Sequence, residues 1–328
     1  MSQEDHTIGR KGDAVAGAAA GPSQRPLVAV LILNWEIWPN TLECLRSLEG
    51  ITYPKQNVGI FVIDNGSQND SVSVLRNQLN AMRTQGWRDL ALVENSENIG
   101  FARGNNAGYT RIPPEYELVY LSNDDIVFYE DCLEHVAEAF ARYESAGVVG
   151  AKVLTYDAPH VLSHGAGYVR PLLLGTRSEN TETPTYCHFV TGCALCIRRS
   201  VVEQLGTFFD PAFIAYWEDT DLCARVRAAG YGILYCPEAR VLHKVSTSTG
   251  GIEGLISPVR AYRIMHGKTL YARKHLSLLS RGLFYALFAV RFPWFVLRTT
   301  VLGGRGAPVL WGAYLRGVRD GVSTRLDE

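Results

Sequence analysis

The chain has 328 residues, 47% hydrophobic and 20% charged, enough apolar material for one large α/β domain with an appendage and too much for a disordered chain. Its 32 Lys and Arg balance 33 Asp and Glu to a net charge of −1, which argues against a general nucleic-acid binder. Seven Cys in this length do not make a disulfide scaffold and suit a reducing, cytoplasmic compartment.

Residues 1–26 mix Gly, Ala, Ser and charges with no apolar period. They read as a flexible tail, and the short run Ala14 to Gly21, preceded by acids, is no signal peptide. Val28 to Leu33 is a continuous apolar run of the kind a strand covered on both faces requires, and Asn34-Trp35 ends it. Pro39-Asn40-Thr41 opens a helix, with Glu43 three residues after Asn40 in capping-box spacing. Val58 to Ile63 is the next buried strand, stopped by Asp64-Asn65-Gly66-Ser67; Leu90 to Val93 follows a polar helix. Leu118 to Leu121 is a fourth strand, stopped by Ser122-Asn123-Asp124-Asp125. Strands alternating with helices predict a mostly parallel sheet flanked by helices. Ligands of open parallel sheets sit beyond the carboxyl ends of the strands, so the clusters at Asn34, Asp64 and Asp124 should converge on one crevice.

The second half is less regular. Val148 to Val153 reads as a strand, residues 155–186 as turn-rich, Phe189 to Ile197 as apolar, Glu218 to Ala229 as a helix ended by Gly230, and Tyr231 to Tyr235 as a returning strand. From Pro258 the chain reads as helices. Residues 283–302 are rich in Leu, Phe, Trp and Val, but Arg291, Pro293 and Arg298 interrupt them. That excludes a clean spanning segment and leaves either a helix lying in a membrane surface or one packed on the main domain.

Several segments carry chemistry. Asn123-Asp124-Asp125 at a strand end offers oxygen ligands suited to Mg²⁺ or Mn²⁺, although such clusters also make turns. Trp217-Glu218-Asp219-Thr220-Asp221 puts three acids in a first helical turn, where they serve as ordinary dipole partners or supply a general base. Asn98 to Asn106 joins a strand to a helix; its Gly residues permit close approach and Arg103 can meet a phosphate. Cys193 and Cys196 match a C-x-x-C pattern with no second pair, and read as core.

Taken together and in order, these segments resemble the family-2 inverting glycosyltransferases of the GT-A fold, in the rhamnosyltransferase and galactofuranosyltransferase-like branch. The resemblance spans about residues 27–247. It rests on Val30 to Trp35, Val62 to Ser67, Glu94-Asn95 with Asn98 to Ala102, Leu121 to Asp125, Val190-Thr191-Gly192, Tyr216 to Leu222 and Pro237 to Lys244. It implies a GT-A domain over 27–250, with a nucleotide-sugar half (27–126) and an acceptor half (127–250); the helical extension over 251–328 lies either at a membrane surface or against that domain. It implies that Asp64, with Asn34 and Asn65 beside it, binds the nucleoside, and that Arg103 and Asn105 lie near the diphosphate. Asn123, Asp124 and Asp125 stand for the metal motif, with Asp125 preferred over Asp124 as the metal acid and His243 completing the site around Mg²⁺ or Mn²⁺. Asp219 matches the catalytic base, while Thr191, Gly192, Trp217 and Glu218 line the sugar or acceptor pocket. The stretch Arg263 to Gly267 departs from an Arg-Asn pair that many relatives carry. The implied reaction is inverting transfer of rhamnose or a similar sugar from a dTDP- or UDP-linked donor. Its acceptor is a saccharide or polyprenyl-linked hydroxyl at the inner face of the cell membrane. The alternatives are an inactive nucleotide-sugar binder of the same fold, which the presence of Asp219 and the metal acids disfavours, and a nucleotidyltransferase. The latter needs cations near the first strand, where Asn34-Trp35-Glu36 supplies none.

Overall fold

The apolar runs become β1 (Val28–Asn34), β2 (Val58–Asp64), β3 (Asp89–Glu94) and β4 (Leu118–Asn123). The computed structural model describes residues 25–170, 174–244, 257–303 and 307–326; the tail expected over 1–24 and the boundary expected near residue 250 lie outside them. β1 pairs in parallel with both β2 and β4, in a register that sets Asn34 opposite Asp64 and Leu33 opposite Asn123. Because side chains alternate along a strand, Val28, Val30 and Ile32 enter one apolar layer and Ala29 and Leu31 the other. α1 (Trp38–Glu49), α2 (Ser71–Met82) and α4 (Cys132–Arg142) cover the first layer; α3 (Phe101–Tyr109), α5 (Arg199–Leu205) and α6 (Glu218–Ala228) cover the second. Each aliphatic side chain buried between them contributes about 1.5–3 kcal/mol.

The sheet becomes mixed past β4. Three short strands, β5 (Ile126–Phe128), β7 (Ala158–His164) and β10 (Thr185–Tyr186), lie beside two long ones, β6 (Ala146–Thr155) and β12 (Gly232–His243). β11 (Ala194–Arg198) runs antiparallel to β4 and β6, and β12 runs parallel to β6. The main order is β10-β12-β6-β11-β4-β1-β2-β3, with β5 on β12 and β7 on β6. The turn-rich stretch also forms a separate hairpin, β8 (Ala166–Arg170) and β9 (Gly175–Glu179). The returning strand predicted over residues 231–235 continues to His243, and through β5 it carries that histidine back beside Ile126.

One local expectation fails. α1 starts at Trp38 with Ile37 as its N-cap, Pro39 in its first turn and no side-chain cap. Glu43 has better partners than the helix end: Lys244 pairs with it, and the Tyr156 hydroxyl donates to it at 2.6 Å.

The C-terminal helices are α7 (Pro258–His275), α8 (Leu278–Gly303) and α9 (Ala307–Ser323). Among the described residues no helix is long and apolar enough to cross a membrane. α7 docks on the turn that precedes α6. Tyr216 and Trp217 there hold left-handed backbone at φ 67° and 74°, a conformation costing on the order of 1–3 kcal/mol per residue. Gly267 of α7 fits only because it lacks a side chain, since a Cβ would stand 2.4 Å from the Tyr216 carbonyl oxygen.

A buried charge cluster fastens the same junction. Asp221 of α6 is 0% exposed. It accepts from Arg225 Nε at 2.8 Å, while Lys274 Nζ and His275 Nε2 of α7 both reach its Oδ1 at 2.7 Å. Lys274 also meets Asp210 at 2.5 Å. Burial by itself raises the Asp221 carboxyl, but His275, Arg225 and Lys274 outweigh it and hold the group at about 2.

Two outcomes follow. Asp221→Asn leaves Arg225, Lys274 and the His275 ring facing a neutral amide and costs about 3–5 kcal/mol, a fall of roughly 10 °C in the thermal unfolding midpoint at pH 7; a variant melting with wild type refutes the role. Because the folded value lies below the ordinary carboxylate range, the stabilisation is present above pH ~4 and lost as pH falls toward ~2. It amounts to about 2 kcal/mol, so acid titration of stability in that window is steeper for wild type than for the variant.

Candidate active site

Parallel register makes the donor side. Asn34 and Asp64, level at the ends of β1 and β2, are joined by Asn34 Nδ2 donating to Asp64 Oδ1 at 2.7 Å. Thr41 orients Asn34 by donating to its Oδ1 at 2.7 Å. Ser67 donates twice to Asp64, from its backbone N–H to Oδ2 at 2.9 Å and from its hydroxyl to Oδ1 at 2.6 Å. Asp64 Oδ2 keeps capacity for one further donor.

Asn65 and Asn105 serve the frame of this side rather than its surface. Asn65 donates to Asn98 Oδ1 at 2.9 Å and accepts from Asn95 Nδ2 at 3.0 Å, which staples the loop before α3 onto β2. Asn105 is fully buried and donates to Phe101 O within its own helix. Arg103, on the first turn of α3, is exposed and makes no ion pair among the described residues.

At the end of β4, Asp124 and Asp125 occupy the turn into β5. Asp125 Oδ2 lies 3.2 Å from His243 Nε2. Asp125 Oδ1, His243 Nδ1 and Asn123 Oδ1 are buried with no partner, a costly arrangement unless something else meets them. Burial first, and the neighbouring Asp125 charge second, push the Asp124 carboxyl up to about 8. A cation would relieve that repulsion. Two carboxylates, an amide oxygen and an imidazole are a donor set that fits a hard divalent ion. Among the described residues no three His, Cys, Asp or Glu side chains are grouped closely enough to hold an ion by themselves.

The acceptor side meets this cluster through β11. Asp219 Oδ2 accepts the Gly192 backbone N–H at 2.9 Å, and its Oδ1 accepts from Thr220 N at 2.6 Å and the Thr220 hydroxyl at 3.1 Å. Gly192 permits this approach, since a Cβ would lie 3.2 Å from Asp219 Cβ. The next residue closes the link, because Cys193 O accepts the Asn123 backbone N–H at 3.2 Å. Burial holds the Cys193 thiol up at about 12, and the Asp125 and Asp219 charges both push it the same way. The stretches carrying Asp219 and Asn123 are thus tied together through Gly192 and Cys193. Thr191 donates to the Cys193 sulfur at 3.5 Å.

Glu218 and Trp217 turn away from open solvent. Burial, reinforced by the Asp219 charge, raises the Glu218 carboxyl, and its Oε2 is buried without a partner. Trp217 packs on Tyr271 with ring centroids 5.1 Å apart, and Lys268 Nζ stands 5.8 Å from its ring. Sequence reasoning missed His164, whose ring lies 6.2 Å from His243. Burial, then the His243 charge, lowers its pKa, while Asp219 opposes them; no motif marks that residue in the sequence.

The cleft has known counterparts. The profile of glycosyl transferase family 2 matches residues 28–206, and that of glycosyl transferase family group 2 matches residues 118–315. The N-acetylglucosaminyl-diphospho-decaprenol L-rhamnosyltransferase of Mycobacterium tuberculosis (strain H37Rv) is 26% identical over 251 aligned positions, covering 69% of this chain and 77% of that protein. The O-antigen chain rhamnosyltransferase RfbN of Salmonella typhimurium is 24% identical, covering 63% of this chain and 62% of its own length. Among solved structures, the mannosyltransferase PcManGT of Pyrobaculum calidifontis, in complex with GDP-Man and Mn²⁺, matches with a TM-score of 0.60 at 16% identity, over 93% of this chain and 89% of that one. S. aureus TarS 1–349 in complex with UDP-GlcNAc gives 0.60 at 13% identity, over 90% and 80%. These structural likenesses speak for the fold, which is GT-A. The family profile covers more than half of the chain, so the protein belongs to glycosyl transferase family 2 and is a glycosyltransferase.

Proposed function

We propose that the chain transfers rhamnose, with inversion, from a dTDP- or UDP-linked donor to a hydroxyl of a saccharide carried on a polyprenyl diphosphate. The observation that carries this reading is the bridge from Asp219 through Gly192 and Cys193 to Asn123, which supports bringing the proposed base and the proposed metal-binding groups together. The sugar and the acceptor class are taken from the relatives named as rhamnosyltransferases, one of which acts on N-acetylglucosaminyl-diphospho-decaprenol.

In this reading Asp64 Oδ2 receives a donor group of the nucleoside, with Asn34 and Ser67 fixing the carboxylate's orientation. Arg103 meets the diphosphate from the first turn of α3. Asp219, aligned by three donors, keeps a free lone pair on Oδ2 and takes the proton of the acceptor hydroxyl as its oxygen attacks the anomeric carbon. The diphosphate departs from the opposite face, so the centre inverts. Asp125 and His243, with Asp124 or Asn123, would hold a divalent cation, whose chemistry there is neutralisation of charge on the leaving diphosphate. Glu218, whose carboxyl burial raises, stands beside Asp219 in the wall of the acceptor pocket.

The protein works at the cytoplasmic face of a membrane, bound through α8. Leu283, Val290, Trp294, Leu297 and Val301 fall on one stripe of a 3.6-residue helix and are exposed. α8 carries Arg281, Arg291 and Arg298 and no Asp or Glu, which suits an anionic lipid surface. Seven buried free Cys agree with a reducing compartment.

Asp219→Asn lowers nucleoside diphosphate release from the donor-acceptor pair by about 10²–10⁴-fold, with an unchanged melting profile; full activity of that variant, or a wild type inert toward dTDP- and UDP-sugars, refutes the assignment. Chelation abolishes turnover, and Mn²⁺ or Mg²⁺ restores it. For the membrane claim, Val290→Ser, Leu297→Ser and Val301→Ser together reduce co-sedimentation with phosphatidylglycerol vesicles by about tenfold or more; equal pelleting of variant and wild type sinks it.

A further inference from the structure

Beside the cleft lies a cavity of about 550 Å³, bounded by the β8–β9 hairpin and the three C-terminal helices. Its lining is chemically one-sided. Arg170, Lys268, Arg291 and Arg298 border it, and among the described residues no Asp or Glu does. Among the described residues none of these four makes an ion pair, whereas Lys274, also on α7, makes two. Burial lowers the pKa of Lys268 with no carboxylate to oppose it. A desolvated cation without a carboxylate, as at Lys268, is unfavourable until an anion arrives; Arg170, Arg291 and Arg298 are exposed.

The remaining wall is aromatic. Phe284, Phe288, Phe292 and Phe295 of α8 face the cavity, with Tyr314 of α9 opposite. Rings offer polarizable surface to an unsaturated hydrocarbon. An anionic head joined to an unsaturated chain satisfies both parts of the lining at once.

Two further contacts say where such a ligand enters and what it serves. Trp294 lines the cavity and is also 68% exposed on the apolar stripe, so the cavity opens at the face proposed to meet lipid. Lys268, at the inner end, stands against the Trp217 ring, two residues before Asp219. Through Trp217, Lys268 adjoins the first turn of α6, which carries Asp219.

We propose that this cavity seats the lipid carrier of the acceptor, a polyprenyl diphosphate: Arg170, Lys268, Arg291 and Arg298 hold the diphosphate, and the α8 aromatics hold the first isoprene units. The assignment rests on the transferase reading above and names the part of the acceptor that reading leaves unplaced.

The test is a binding experiment that needs no turnover. The full chain is titrated calorimetrically with geranylgeranyl diphosphate in the presence of a chelator. Wild type binds saturably; Arg291→Ala/Arg298→Ala binds at least tenfold more weakly with an unchanged melting profile; Arg291→Lys/Arg298→Lys recovers most of the affinity. Geranylgeraniol binds at least tenfold more weakly than the diphosphate, and neither uridine nor deoxythymidine diphosphate displaces the probe. Absence of wild-type binding, equal binding by the alanine variant, or equal affinity for the alcohol overturns the proposal. So does displacement by the nucleotides, which places the probe in the donor cleft, or full displacement by phosphatidylglycerol vesicles, which makes the site a general anionic-lipid surface. Failure of the transferase reading shows instead as a wild type that releases no nucleoside diphosphate while this binding persists.

Discussion

One carboxylate without solvent contact, Asp221, holds the helix that begins with the proposed base to the helix that follows the sheet domain. Its three cationic partners come from α6 and α7. A charge that deep is tolerable only with such company, so the pair of helices is fixed as a unit. That unit sets the first turn of α6, hence Asp219, and it sets Lys268 one turn and a half before Lys274 on α7. The C-terminal helices are thus part of the cleft's architecture.

The donor and acceptor sides are built on opposite principles. On the donor side, polar groups are nearly saturated by one another: Asp64 by Asn34 and Ser67, Asn65 by Asn95 and Asn98. Such a network is rigid before any ligand comes, which is what a site for a constant nucleoside requires. Around Asp125 and His243, and again around Lys268, charged or polar groups stand without partners.

What could be read in the sequence was what is local. Continuous apolar runs fixed β1, β2 and β4, and the polar residues at their ends marked the donor crevice, because a parallel register makes strand ends level. Asp219 was readable as a base only through resemblance; spacing alone leaves it no different from Asp221, which turns out to be a structural charge. What separates them is who comes near: Gly192 and Thr220 for one, Lys274 and His275 for the other, partners brought by chain far away or by backbone. The same reason defeated the capping box at Asn40 and Glu43, where Lys244, 201 residues on, claims the glutamate. It also hid His164, which enters the site from β7 with no neighbouring signal. Trp217 packs on Tyr271 of α7, a partner that no local pattern announces.

The backbone at Trp217 has a consequence for how the protein can change. Two successive non-glycine residues, Tyr216 and Trp217, are wound the unfavourable way, and Gly267 leaves the hollow in which they sit. Relaxing either residue toward ordinary geometry re-aims the start of α6 and slackens the stacking on Tyr271 together. Natural variation at this corner is therefore bound to travel in groups: a bulkier residue at 267, a smaller one at 217 and a re-routed loop arrive as a set or not at all.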